Sequence, residues 1–160
     1  MARLIVSVLW LLAFELGSAQ TTEEQATPLS TQQIRELLGS DRPSSLQWKK
    51  LVGVDCTLYY GRNAEHPWER VGIYLGGFPP FERDSSLPQI TSRLGMYSVT
   101  WQRKEHEGLM HLETSMPLHS DYWKADVWIE GRNQAELDQL VKEISLFPMF
   151  NQMPKIVGAP

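Results

Sequence analysis

The chain has 160 residues, of which 42% are hydrophobic and 21% charged, with a formal net charge of −4. That composition excludes a wholly disordered, collagen-like or multi-span membrane protein. The mild acidic excess lacks the Lys/Arg surplus that neutralises phosphates, so it argues against nucleic acid and anionic membrane surfaces as partners.

The N-terminus begins Met1-Ala2-Arg3, continues through residues 4–14 almost without polarity, and reaches Gly17-Ser18-Ala19 before Gln20. A basic start, a short apolar stretch and small residues before a polar one make up the three-part export signal. The apolar stretch is well short of the ~20 residues a spanning helix needs. Residues 1–19 are therefore predicted to be a signal peptide, cleaved after Ala19. The predicted product is periplasmic or secreted and has no membrane span. Cys56 is the only cysteine, so no intramolecular disulfide is possible. It lies in an apolar run and is expected to be buried.

Residues 20–28 are polar and read as a flexible leader. Ser30 is a good helix N-cap, Gln33 follows three residues on, and Leu29 and Ile34 are spaced as a hydrophobic staple. Ile34, Leu37 and Leu38 give that short helix an apolar side, and Gly39 ends it. From Leu46 the pattern becomes extended. Val54, Cys56, Leu58 and Tyr60 alternate with Asp55, Thr57 and Tyr59 as in a half-buried strand. After a turn-rich link over 61–67, residues 70–75 read as a second strand with Val71, Ile73 and Leu75 on one face.

Residues 76–88 are irregular, because the prolines of Phe78-Pro79-Pro80-Phe81 cannot donate to a ladder. Residues 87–94 read as a stretch with one helical turn. Tyr97, Val99 and Trp101 mark a third strand. A charged turn over 103–107 closes at Gly108, and 109–116 returns as a fourth strand ended by Pro117. The fifth spans 122–130, with Trp123, Ala125, Val127 and Ile129 on the core face and Tyr122 and Trp128 on the other. Asn133 and Glu136 open a second helix, whose Leu137, Leu140, Val141 and Ile144 repeat at helical spacing. The predicted fold is α+β. It has a roughly five-stranded, mainly antiparallel sheet, with a short N-terminal helix and a C-terminal helix packed on one face. One domain spans 29–150, and residues 151–160 form an irregular tail.

Reactive residues are few. His111 and Glu113 lie two apart on one strand and share a face, an arrangement that orients an imidazole for base or metal work. No H-x-H, H-x-x-x-H or paired cysteine accompanies them. His119-Ser120-Asp121 contains the residue types of acyl transfer, but neighbours in sequence cannot form a relay. No phosphate-binding glycine motif is present. No catalytic set, metal site or cofactor is predicted. The prolines instead pre-order a backbone that displays Phe78 and Phe81 for a protein or small-molecule partner, and Trp128 and Tyr122 offer an aromatic platform. The leading expectation is an exported, non-enzymatic binding or accessory protein. The alternatives are a small exported hydrolase or lyase using His111 or His119 with nearby carboxylates, and a structural subunit of an envelope assembly.

Overall fold

Both helices start where short polar side chains replace the missing backbone partners. At the first, Ser30 Oγ accepts from Gln33 N (3.3 Å), and Gln33 Oε1 accepts from Ser30 N (2.9 Å). The reciprocal pair opens α1 (Thr31–Leu38), which Gly39 closes at φ 65°. Eight residues cannot hold a helix alone in water, and α1 persists by burying Leu37 and Leu38. Asn133 Oδ1 accepts from Glu136 N (3.1 Å) to open α2 (Gln134–Ile144), which buries Leu137, Leu140 and Ile144 at helical spacing. A 3-10 turn (Pro148–Phe150) follows and seats Phe150 in the core beside Phe147.

The computed structural model describes residues 25–77, 84–118 and 124–152. Among these, eight strands form one antiparallel sheet: β1 (Thr27–Pro28), β2 (Leu46–Val52), β3 (Cys56–Asn63), β4 (Arg70–Gly76), β5 (Gln89–Leu94), β6 (Tyr97–His106), β7 (Leu109–Pro117) and β8 (Lys124–Gly131). Their order is β1-β2-β3-β4-β8-β7-β6-β5. Two meanders of four strands thus meet at the β4–β8 seam. Trp48, Val71, Ile73, Val99, Trp101, Leu112, Met116, Ala125, Val127 and Ile129 join the buried side chains of both helices in one core cluster. The helices therefore cover the same face.

The sheet has eight strands, not five, and each added strand hid for a local reason. β1 is two residues long, and pairs Thr27 with Lys50 and Pro28 with Lys49. By sequence pattern β2 and β3 read as one extended run. Gly53–Asp55 turns the chain between them, leaving Val54 93% exposed. β5 carries Ile90 and Leu94 on its inner face, a spacing of four that imitates a helix. The inward residue between them is Ser92, whose Oγ accepts from Trp101 Nε1 (2.8 Å). The charged stretch 103–106 continues β6 rather than turning. The turn is Glu107-Gly108 alone, with φ 52° and 75°, the positive pair a tight two-residue hairpin requires.

β3 also faces the other way from the sequence reading. Register places Tyr59 and Gly61 opposite Lys50 and Trp48, on the helix side. Leu58 and Tyr60 lie on the far face and are nonetheless buried. Asp126, Glu113 and Gln102 are buried there too, so the far face is not the simple water-facing surface that alternation implies.

Two strand glycines serve as seats for cross-strand indoles. Gly61 lies opposite Trp48 on the helix face, and Gly72 lies opposite Trp128 on the far face. A Cβ at Gly72 would come within 1.9 Å of Trp128 Cζ2. Only a residue without a side chain permits that approach.

Candidate functional site: a charged ribbon and a cleft on opposite faces

Across the far face, register lines up Lys104 on β6, His111 on β7, Glu130 on β8 and Arg70 on β4. Glu113 projects beside His111, two residues along β7. Lys104 Nζ lies 2.5 Å from Glu113 Oε1, and His111 Nε2 is 3.2 Å from Glu113 Oε2. His111 Nδ1 is 3.2 Å from Glu130 Oε1, and Arg70 reaches Glu130 Oε2 at 3.5 Å. The result is a ribbon of alternating charge that crosses the β4–β8 seam. It extends into the 64–69 loop, where Arg62 Nε and Arg70 Nε both donate to the Pro67 carbonyl. In the same loop Trp68 stacks on His66, and the Arg132 guanidinium lies 3.4 Å over its ring.

Burial alone would push the His111 imidazolium down. The hydrogen bonds to Glu113 and Glu130, and the charges of both carboxylates, outweigh burial and hold it above its ordinary 6.5. Burial likewise pushes Glu113 and Glu130 up. It is outweighed by the hydrogen bond from His111 in each case, with Lys104 assisting Glu113 and Arg70 assisting Glu130, so both lie below the ordinary 4.5. Ionised carboxylates only accept, so both ring nitrogens of His111 must donate. An imidazolium with both N–H groups engaged can neither accept a proton nor bind a metal without breaking one of these contacts. The His111–Glu113 pair foreseen from sequence therefore forms, but as a charge-compensated strut.

Other predicted positions divide between described and undescribed residues. Trp128 is half-buried on the far face, with its indole over Gly72. Phe78, Phe81, Tyr122 and His119 lie outside the described residues, as do residues 1–24, which include the signal segment. Cys56 opens β3 as a half-buried free thiol rather than a fully buried one. On the far face, Ser115 Oγ donates to Asp126 Oδ1.

The feature that sequence reasoning missed is on the helix face. A half-open cleft of about 450 Å³ lies between α1, strands β2–β4 and the 148–152 segment. Leu29, Leu37, Tyr59, Leu75, Leu118 and Met149 supply its apolar lining, and Gln33, Glu36, Lys50 and Gln152 its polar groups. The volume falls in the ~300–1,000 Å³ range of small-molecule sites. Lys50 Nζ sits 5.4 Å from the centre of the Tyr59 ring. One signal was available. Leu46, Trp48 and Lys50 share the inward face of β2, and a lysine in that series marks a place where the core opens.

Among the described residues, no cluster of His, Cys, Asp and Glu is placed to hold a metal ion. No helix among them is long and apolar enough to cross a membrane. Compared with known proteins, the chain matches no family model, no curated protein and no solved structure.

Proposed function

We propose that this chain is an exported, non-enzymatic binding or accessory protein that holds a small, largely apolar ligand in the cleft under α1. The observation that carries the reading is the cleft itself, an apolar-lined opening of about 450 Å³ beside a core that contains Trp48, Phe147 and Phe150. Burying an apolar ligand there stabilises the complex by roughly 25 cal/mol for each Å² removed from water. The hydrolase reading finds less support. Its one described histidine is on the opposite face of the sheet from the cleft, with both ring nitrogens engaged.

The test is titration of the purified protein with N-phenyl-1-naphthylamine, a probe that brightens in apolar surroundings. Saturable binding is expected, and Leu75→Trp, which fills the cleft floor, should weaken it about tenfold or more with unchanged far-UV circular dichroism. Absence of saturable binding, or equal binding by the folded variant, overturns the reading.

A further inference from the structure

Resting on the cleft reading, we infer that the ligand is a carboxylate-bearing amphiphile whose head group is received by Lys50. Lys50 projects from β2 on the inward face, between Thr27 of β1 and Tyr59 of β3. It is half-buried, and its ammonium rests near the Tyr59 ring at 5.4 Å. Among the described residues it is the only cation in the cleft lining. Among the described residues, no carboxylate lies within ion-pair distance of it; the salt bridges formed there engage other cations.

A half-buried cation that meets an aromatic face and no carboxylate among the described residues has lost part of its hydration for a weaker partner. A carboxylate arriving on an apolar body would complete it with a charge-assisted hydrogen bond, where low polarity strengthens the attraction. The one acid among the described lining residues, Glu36, is placed differently. It is exposed on α1, and its Oε1 accepts from Gln32 Nε2 at 3.1 Å. It stands at the rim, where water screens it, and not on the floor. The cleft therefore offers an apolar body site with a positive inner group, which selects an anionic head over a neutral or cationic one. A single ammonium balances the one charge of a carboxylate, whereas a phosphate monoester brings close to two at neutral pH.

Displacement of bound N-phenyl-1-naphthylamine near neutral pH tests this, using dodecanoate, dodecanol and dodecylammonium below their aggregation limits. Dodecanoate should bind about tenfold or more tightly than either of the others. Lys50→Met should erase that preference while leaving dodecanol affinity within about twofold, and Lys50→Arg should restore most of it. Equal binding of acid and alcohol by the unaltered protein would overturn the inference while leaving the cleft reading standing. Tightest binding of dodecylammonium, or a preference that survives Lys50→Met, would do the same. If the probe itself does not bind, the cleft reading falls and this inference with it.

Discussion

Replacing Gly72 with alanine tests whether the indole of Trp128 is locked across the seam between the two meanders. The added Cβ would lie 1.9, 2.1 and 2.3 Å from Trp128 Cζ2, Cε2 and Cη2. Carbon atoms rest at about 3.5–4.0 Å, so the ring must lift by more than an ångström or the strands must part. Gly72 is buried and Trp128 half-buried, and overpacking of this kind costs roughly 1–3 kcal/mol. That corresponds to a fall of several degrees in Tm for a chain of this size. The informative comparison is the same change in a Trp128→Ala background. With the ring gone, alanine at 72 no longer meets these three atoms, and it lowers the entropy of the unfolded chain. There it should stabilise by about 0.4–1 kcal/mol. The effect of one substitution thus changes sign with the identity of a cross-strand neighbour. Urea unfolding followed by far-UV circular dichroism, with unchanged m-values, measures all four corners of the cycle. A neutral Gly72→Ala in the unaltered protein, or an equal loss in both backgrounds, would refute the packing argument. The Gly61–Trp48 pair, with its closest approach at 2.9 Å, should show the same pattern more weakly.

Two further outcomes follow from the ribbon and the leader. His111 is held above its ordinary 6.5, so its contribution is complete below that value and is lost as pH rises through the raised one; Glu113 and Glu130 are held below 4.5, so theirs is present above 4.5 and lost as pH falls through the lowered values. The ribbon therefore supports the fold best in mildly acidic solution. The stability difference between the unaltered protein and His111→Gln should shrink as pH is raised from about 5 to about 9, and a flat difference would contradict the assignment. For the leader, mass spectrometry of protein recovered from an exporting host should find a chain beginning at Gln20. An intact Met1 terminus in a cytosolic protein would dismiss both the cleavage and the proposed export.

The helix starts and the inward faces of β4 and β8 were legible in the sequence, because those signals are short in range, while the strand count was not. Ser30 with Gln33, and Asn133 with Glu136, sit within one turn of the donors they satisfy. Ala125, Val127 and Ile129 alternate cleanly because the helix face of β8 is wholly buried. Two features escaped the sequence reading because a strand's inward series includes a polar residue. Ser92 looks like a break until Trp101 is seen to donate to it. Lys50 looks like a surface residue until it is found in the lining of a cleft. Likewise, the shared face of His111 and Glu113 could be read from their spacing of two. Glu130 and Arg70, which turn that pair into an imidazolium strut, arrive from β8 and β4.

The linear chain by itself decided where both helices begin and where α1 ends, which residues of β4 and β8 face inward, and how few reactive groups there are. Each of these depends on neighbours within about four positions. Only the assembled sheet decided that β3 shows Tyr59 rather than Tyr60 to the helices, that two glycines seat indoles, and that Lys50 borders an opening. Those outcomes depend on strand order and register, and both are set by contacts between segments far apart along the chain.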